Sequence, residues 1–425
     1  MISSRARVIF VLLMVSAGLA LAGGKPIFAN MAYLLMGLLV VSFVWSRVSL
    51  SGISLTRLAR THRGQVGVPF EEAFVLRNAS RWSKVWLEIE DLSDLPGHRV
   101  STVLTGFGAG RERKWPVRTI CRDRGRFHLG PTRLLGGDPF GLFPAARYLA
   151  ERQHVIILPM TLPLTSFSVP SGRRAGGEAL RERTHQVTPN AAGVRDYAPG
   201  DGFHRIHWRS TARRGRLIVK EFELDPMADA WLVVDASRVA HWSLRAAPSP
   251  NVRPRFLPEA TTLVPSSLEY AVTAAASIGL YLLARGQSVG LMTSGRTRQV
   301  IQPDRGAAQL YRVLEALAVV DGDGAMDLED LMKVEVPQIP RGSAAIVVTA
   351  SPEERVLVAA RHLERRGIPP VLVLLDASSF GGPPGSESLA LAARRNGYPV
   401  RLLRCGESLA AGLAAPMTAG HATAA

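Results

Sequence analysis

Residues 8–45 read VIFVLLMVSAGLALA, GGKP and IFANMAYLLMGLLVVSFVW, and this stretch decides the first part of the fold. The second apolar run, Ile27–Trp45, is nineteen residues long. A helix of that length covers about 28 Å, close to the ~30 Å hydrocarbon core of a bilayer. The four residues between the runs leave room only for a tight turn. We therefore expect a transmembrane helical hairpin over residues 1–46.

Arginines flank both ends of this hairpin, with Arg5 and Arg7 before the first run and Arg47 after the second. Both flanks are therefore expected on the cytoplasmic face of the plasma membrane, where basic residues concentrate. The alternative is a cleaved signal peptide, because Ala20-Leu21-Ala22 has the small-x-small form of a cleavage site. Either route leaves residues 47–425 in the cytoplasm, which suits a chain with little use for disulfides.

The composition predicts a folded and strongly basic protein. The chain has 425 residues, of which 47% are hydrophobic, so we expect two or three domains and exclude a wholly disordered chain. Lys+Arg number 51 against 35 Asp+Glu, a net charge of +16. This excess indicates anionic partners or simply a genome rich in arginine codons, and the sequence leaves both open. Cys121 and Cys405, the only cysteines, exclude a disulfide scaffold or a structural zinc cluster.

The soluble part divides by pattern. Residues 47–160 contain short β-rich runs separated by turn residues, which predict a β-sandwich. In residues 229–405, buried-type strands alternate with helical stretches, beginning with Trp231-Leu-Val-Val-Asp235. This alternation predicts a doubly wound, mainly parallel α/β sheet covered on both faces. Residues 161–228 are expected to join the two domains, and residues 406–425 form an Ala-rich tail.

Familiar catalytic motifs are missing from the sequence. It contains no Gly-Lys-Ser/Thr phosphate loop, no His-Glu-x-x-His and no Gly-x-Ser-x-Gly. Nucleotide hydrolysis, zinc proteolysis and serine hydrolysis of the familiar kinds are therefore not expected. This absence favours a protein that is not an enzyme.

The stretch GVRDYAPGDGFHRIHWRSTARRG, residues 193–215, is the densest in polar and aromatic residues. Residues 173–220 hold eleven Arg or Lys and four Asp or Glu. We interpret this segment as a protein-docking motif. Its candidate residues are Asp196, Tyr197, Pro199, Gly200, Asp201, Arg205, His207, Trp208, Arg213 and Lys220.

Three other interpretations of this segment stay open. A basic stretch with interleaved aromatic residues is also typical of nucleic-acid binding, although no nucleic-acid-binding fold surrounds it. A purely structural role would pair Asp196 and Asp201 with arginines such as Arg205 or Arg209, because carboxylate–guanidinium pairs fix orientation. A metal-assisted enzyme would use a cluster made of Asp196, Asp201, His204 and His207.

A second candidate site follows the first strand of the α/β region. Asp235 stands at the carboxyl end of a predicted parallel strand, where such folds bind ligands. Its carboxylate and the Ser237 hydroxyl are oxygen ligands of the kind that Mg²⁺ prefers. The alternative is that Asp235 only caps a turn.

The motifs of this chain resemble the bacterial Domain of Unknown Function 58 family. The resemblance rests on two elements. The first comprises Arg195-Asp-Tyr-Ala-Pro-Gly-Asp201, Arg205-Ile-His-Trp208, Ala212-Arg213 and Val219-Lys-Glu-Phe222. The second, upstream, comprises Arg124-Gly-Arg-Phe127 and Asp138-Pro-Phe-Gly-Leu-Phe143.

The resemblance implies a von Willebrand factor A-like domain in residues 229–405. It also implies an anchor in the bacterial inner membrane, a MoxR-type AAA+ ATPase as partner and, in some members, a transglutaminase-like membrane protein; the family's activity is uncharacterised. The metal-ion-dependent adhesion site of A-type domains begins Asp-x-Ser-x-Ser. Here Asp235 and Ser237 match, but Val239 replaces the second serine, and Thr349-Ala-Ser351 lacks the aspartate expected after a later strand. A degenerate metal site is therefore implied.

Together these observations predict a membrane-anchored, non-enzymatic adaptor or scaffold on the cytoplasmic face. It would work with the ATPase and contact the lipid bilayer, without a cofactor unless Mg²⁺ binds. The alternatives are the metal-assisted enzyme and binding of an anionic surface or nucleic acid by the arginines.

Overall fold

The computed structural model describes residues 3–59, 61–149, 152–169, 191–197, 206–222, 229–244 and 263–415, without the side chains of 191–195 and 220–222. The chain divides into two compact units, Met1–Met160 and Thr161–Ala425.

Two apolar helices begin the first unit, α1 (Ser4–Gly23) and α2 (Pro26–Ser49). Gly24 ends α1 with a φ of 59°, a left-handed conformation that glycine adopts without strain. Both helices are long and apolar enough to cross a membrane, and most of their large apolar side chains are exposed. The two predicted apolar helices are confirmed.

The described residues of the first unit continue with ten strands. They are β1 (Ile53–Ala59), β2 (Arg63–Gln65), β3 (Pro69–Asn78), β4 (Lys84–Asp91), β5 (Thr102–Phe107), β6 (Glu112–Ile120), β7 (Gly125–Leu129), β8 (Thr132–Gly137), β9 (Pro144–Leu149) and β10 (Gln153–Leu158). These strands form sheets in the orders β1-β3-β6, β5-β4-β8-β9 and β2-β10-β7, and among the pairs that the structure describes here only β2–β10 is parallel.

The first two of these sheets share one apolar core. Leu76 of β3 belongs to the same buried cluster as Leu87 of β4 and Leu134 of β8. Burial alternates along β3 with a period of two, as expected for a strand with one face turned to a core. The predicted antiparallel β region is confirmed.

The second unit contains a two-stranded antiparallel sheet and a larger α/β sheet. Its elements are β11 (Ala191–Asp196), α3 (Trp208–Arg214), β12 (Ile218–Phe222), β13 (Ala230–Val234), α4 (Ser267–Ala284), β14 (Val289–Thr293), β15 (Gln299–Asp304), α5 (Gly306–Ala318), α6 (Leu328–Glu335), β16 (Ala344–Thr349), α7 (Arg355–Arg365), β17 (Pro370–Leu375), α8 (Ser386–Arg395), β18 (Val400–Leu403) and α9 (Leu409–Ala414). The large sheet has the order β15-β14-β13-β16-β17-β18, in which only the β14–β15 pair is antiparallel.

The central strands of this sheet are buried along their whole length, which is why they read as continuous apolar runs. The predicted mainly parallel α/β sheet is confirmed. The sequence pattern missed β15, because this antiparallel edge strand is only half-buried and lacks such a run. Helix α4 is also long and apolar enough to cross a membrane, but it is largely buried inside this unit and forms part of its core.

The strand order places a topological switch point at the first strand. The chain passes from β13 to β14 on one side and later adds β16 on the other side. In open α/β sheets the crevice between two such strands, at their carboxyl ends, is the usual ligand site. Asp235 directly follows β13, and Thr349 ends β16.

Candidate functional site

Asp235 lies at the switch point, and its carboxylate is occupied by the protein's own donors. Oδ1 accepts hydrogen bonds from the Ser237 hydroxyl at 2.7 Å and from the Ser237 backbone N–H at 3.1 Å. Oδ2 accepts a hydrogen bond from the Thr349 hydroxyl at 2.7 Å. Asp235 is 1% exposed, so the carboxylate is held by hydroxyl groups in a closed environment.

A loop from the same unit covers this edge of the sheet. The backbone N–H of Gly324 donates to the carbonyl of Ala236 at 3.1 Å, and the Gly324 carbonyl accepts from Arg238 N–H at 3.0 Å. A Cβ atom on Gly324 would lie 1.8 Å from the carbonyl oxygen of Ser294, so only glycine fits. The loop around Gly324 therefore packs tightly against the backbone that follows β13.

The backbone beside Asp235 is held by a histidine. His241 Nε2 lies 2.7 Å from the carbonyl oxygen of Asp235, and this nitrogen must donate because a carbonyl only accepts. Its Nδ1 lies 3.1 Å from the hydroxyl of Ser267. The ring thus links the end of β13 to the start of α4, which makes it a structural bridge.

A magnesium ion does not fit the residues present at this edge. Asp235 and Ser237 lie together as the sequence predicts, but the Ser237 and Thr349 hydroxyls direct their protons at the carboxylate. Val239, in the position of the second serine, is 66% exposed. Mg²⁺ is usually bound through one or two carboxylates together with waters, and the described residues contain no group of three His, Cys, Asp or Glu able to hold a metal. In this structure both oxygens of Asp235 accept hydrogen bonds from Ser237 and Thr349 at the end of the strand.

The predicted docking motif forms a hairpin with a short helix inserted in it. Strands β11 and β12 pair antiparallel, with Asp196 opposite Ile218. Ile206, two residues before α3, forms an isolated antiparallel β-bridge with Val219 of β12. Ile206, Ile218 and Val219 are buried, whereas α3 has no buried residue. The apolar side of the hairpin therefore anchors a helix whose own surface is free of core contacts.

His207 caps the helix α3. Its Nδ1 lies 2.7 Å from the Ser210 hydroxyl and accepts a hydrogen bond from the Ser210 backbone N–H at 3.2 Å. This is the contact that a helix N-cap residue makes. Since a ring nitrogen that accepts a hydrogen bond is not free to bind a metal, the cap gives no support to a metal site at His207.

Asp196 forms an ion pair with Arg216. Its Oδ2 lies 3.1 Å from Arg216 Nη1, and both side chains are more than half exposed. The structural alternative named Arg205 and Arg209 as examples of its partners, and Arg205 lies outside the described residues. Exposed pairs contribute about 0–1 kcal/mol, so this pair does little to fix orientation. Tyr197 donates its backbone N–H to the carbonyl of Leu217.

Several predicted residues of the motif cannot be placed. Pro199, Gly200, Asp201, His204 and Arg205 lie outside the described residues, as does much of the interval 240–265. The backbone of Lys220 is part of β12, but its side chain is not described. Trp208 and Arg213 are both exposed, on the helix α3.

Asp138, quoted above only as part of a family element, organises the contact between the hairpin helices and the β region. Its buried carboxylate accepts hydrogen bonds from the backbone N–H groups of Phe140, Leu142 and Phe143 at 3.0, 3.2 and 2.6 Å. The Leu142 carbonyl in turn accepts from Ser3 N–H, ahead of α1. The sequence feature that could have indicated this role is an aspartate directly before Pro-Phe-Gly, because this residue order typically starts a turn.

The Phe143 ring extends this contact to the second helix. It packs edge-on against Phe43 of α2, with ring centroids 5.6 Å apart. The loop 138–143 therefore connects both apolar helices to the β region.

A buried quartet of polar side chains was also missed by sequence reasoning. Arg57 Nε lies 3.3 Å from Glu72 Oε2, and Arg57 Nη2 lies 2.5 Å from Asp91 Oδ1. His98 Nε2 lies 2.9 Å from Glu72 Oε1. All four side chains are at most 7% exposed. Removing Arg57, Glu72 or Asp91 would leave a buried charge without its partner, which is strongly destabilising.

The fold defines a class: a protein with an apolar helical hairpin, antiparallel β sheets and a mixed, mainly parallel α/β unit. Residues 193–248 match the family model described as "Protein of unknown function DUF58". The matched segment begins within β11, includes α3 and continues past Asp235. The resemblance stated from the motifs is confirmed.

A curated relative is "Uncharacterized protein YeaD" of Bacillus subtilis (strain 168), 26% identical over 255 residues. The match covers 59% of this chain and 56% of the relative, so the chain spans little more than half of that protein's length.

Solved structures show only weak likeness. Proximal thread matrix protein 1 from the mussel byssus is 14% identical, with 44% of this chain and 42% of that chain covered and a TM-score of 0.24. A CARDB domain from Pyrococcus furiosus is 10% identical, with 25% and 90% covered and a TM-score of 0.19. Scores this low carry no argument about function.

Proposed function

We propose that this protein is a membrane-anchored, non-enzymatic adaptor whose soluble units lie on the cytoplasmic face. One observation carries the proposal: the Asp235 carboxylate at the switch point is buried and held by Ser237 and Thr349, and the loop around Gly324 bonds to the backbone beside it. An α/β unit whose switch-point carboxylate is occupied in this way is suited to binding through its surface. The two apolar helices that could span a membrane support the anchor.

The surface best suited to docking is the exposed face of α3. We call it the α3 surface and define it by Trp208, Arg209, Arg213 and Arg214, all exposed. Trp208 is 66% exposed, although tryptophan is among the residues most often buried at the centre of protein interfaces, together with arginine. An aromatic side chain among three arginines fits a partner surface that is acidic and has an apolar pocket.

The partner we propose is a MoxR-type AAA+ ATPase, with a transglutaminase-like membrane protein as a further member of the assembly. The confirmed family resemblance supports this choice. The mainly parallel six-stranded sheet supports the von Willebrand factor A-like assignment that belongs to the same proposal. In this arrangement the ATPase supplies mechanical work, and the anchored protein positions it at the membrane.

The test is a pull-down of the full chain from detergent-solubilised membranes. The test variant is Trp208→Ala with Arg213→Glu, which changes the α3 surface without touching a buried side chain. The control is Arg341→Glu, which alters the same charge at an exposed position before β16. We expect wild type and control to capture the ATPase and the test variant to lose it.

Two outcomes would contradict the proposal. Equal capture by all three proteins would remove the α3 surface as the docking site. No capture by any of them, with or without ATP, would remove the ATPase as partner.

A further inference from the structure

An apolar groove lies between the second half of α2 and the start of β4. Its volume is about 360 Å³, within the range of roughly 300–1,000 Å³ that is typical of small-molecule sites. The residues that characterise its lining are Val41, Val44, Trp45, Trp82, Lys84 and Trp86. Lys84 is the only charged side chain among the lining residues.

The groove runs along the part of α2 that passes from the hydrocarbon region to the membrane surface. It extends from Val40 to Val48, which at ~1.5 Å per residue is about 12 Å along the helix. The valines at its lower end belong to the apolar run expected in the hydrocarbon core. Its upper end has Trp45 and Trp82, and tryptophan is enriched at membrane–water interfaces.

Lys84 is a buried cation at the upper end of this groove. The residue is 3% exposed, and its Nζ donates a hydrogen bond to the carbonyl of Val48 at 2.9 Å. An ammonium group has three donors, so two remain. No carboxylate of the described residues forms an ion pair with it. Burial lowers the pKa of Lys84, as expected for a charge that lacks a compensating anion.

The two remaining N–H donors of Lys84 and the apolar walls of the groove would bind chemically different parts of one ligand. An anion beside Lys84 would supply the missing counter-charge, and a hydrocarbon chain would cover the exposed faces of Val41 and Val44. A membrane phospholipid contains both parts, because its phosphate lies at the membrane surface and its acyl chains lie below it. The groove is also continuous with the exposed apolar surface of α2, which the bilayer must cover.

We propose that this groove is a binding site for an anionic phospholipid, with its phosphate at Lys84 and one acyl chain along α2. This inference does not depend on the proposed ATPase. It adds a specific lipid contact to the two helices: a bound lipid would bridge α2 to the β region, beside the Val48–Lys84 contact.

The test is lipid retention by the full chain, measured by native mass spectrometry after purification from nanodiscs. Nanodiscs of phosphatidylglycerol are compared with nanodiscs of phosphatidylcholine. We expect wild type to retain one phosphatidylglycerol at least about tenfold more often, because its headgroup has a net negative charge that compensates Lys84, whereas the choline cation of phosphatidylcholine neutralises the phosphate. Lys84→Met should lose this preference, and Lys84→Arg should keep it.

Two further variants make the result specific. Lys114→Met removes a lysine on the exposed surface of β6 and should leave the preference unchanged. Val44→Trp fills the groove while leaving Lys84 in place, and it should abolish retention even if Lys84→Met fails to fold.

Four results would overturn the proposal. The first is equal retention of both lipids by wild type. The second is an equal loss in Lys84→Met and Lys114→Met, which would indicate a general charge effect. The third is unchanged retention in Val44→Trp. The fourth is a wild-type dimer without lipid that Val44→Trp converts to monomer, which would make a second copy of the chain the occupant of the groove.

Discussion

The hydroxyl of Thr349 donates a hydrogen bond to Oδ2 of Asp235 at 2.7 Å, although 114 positions separate the two residues in the sequence. This bond joins the carboxyl ends of β13 and β16 across the switch point of the sheet. In related α/β arrangements that point is open to ligands. Here it is a stabilising contact, and its energy can be measured.

Thr349→Val should lower the free energy of unfolding by about 1–3 kcal/mol, because it preserves the shape of the side chain but leaves a buried carboxylate oxygen without its donor. The measurement is the midpoint of thermal or urea unfolding of the full chain in detergent. Thr297→Val, at an exposed position, is the matched control and should leave the midpoint within error. Equal midpoints for both variants would show that the hydrogen bond contributes nothing.

Millimolar Mg²⁺ should not raise the unfolding midpoint, and a chelator should not lower it. The reason is that the oxygens of Asp235 already accept three hydrogen bonds inside the protein. A ligand that binds only the folded state would raise the midpoint. An increase with Mg²⁺ that Asp235→Asn removes would therefore establish a metal site and contradict the geometry described above.

Asp138→Ala should loosen the loop that contacts both membrane helices. Three backbone N–H groups lose their acceptor, so we expect a loss of about 1–3 kcal/mol. Hydrogen exchange should become faster at the amides of Phe140, Leu142 and Phe143. Glu112→Ala, at an exposed carboxylate on β6, serves as control, and unchanged exchange in Asp138→Ala would contradict the assigned role.

Tyr398 should make the stability of the α/β unit sensitive to alkaline pH. Burial raises the pKa of Tyr398 from 10.0 to about 12, and the hydrogen bond that its hydroxyl donates to Glu364 contributes. Since the folded-state pKa is the higher one, the stabilisation is complete below pH 10 and is lost as the pH rises from 10 to about 12. Tyr398→Phe should remove this part of the pH dependence, measured by unfolding midpoints across that interval.

A profile that Tyr398→Phe leaves unaltered would show that Tyr398 ionises as readily in the folded chain as in the unfolded chain.

The orientation of the hairpin can be tested with single cysteines. Lys25→Cys, in the turn between α1 and α2, should react with a membrane-impermeant maleimide in intact cells. Glu112→Cys should react only after the cells are permeabilised. Both variants also carry Cys405→Ser, so that this second native cysteine does not react. Cys121 can stay, because it is buried and burial raises the pKa of its thiol to about 11, which keeps it unreactive. The reverse labelling pattern would place the soluble units on the other side of the membrane.

The candidate site was only partly predictable from the sequence. Asp235 and Ser237 could be located because they directly follow an apolar strand. Their chemistry could not, because the donor that occupies the second oxygen is Thr349 on another strand, and the cover comes from the loop around Gly324. The same limit applies to Asp196, whose observed partner Arg216 is brought to it by the pairing of β11 with β12.

The sequence by itself determined the elements that depend on local pattern. The two apolar helices and the alternation of strands and helices follow from hydrophobic periodicity, which neighbouring residues set on their own. Only the tertiary structure decided which polar groups meet: Thr349 with Asp235, Arg57 with Glu72, and Lys84 with the carbonyl of Val48. These contacts join distant parts of the chain, and their energies depend on burial. Which donors a buried carboxylate meets was therefore decided by packing.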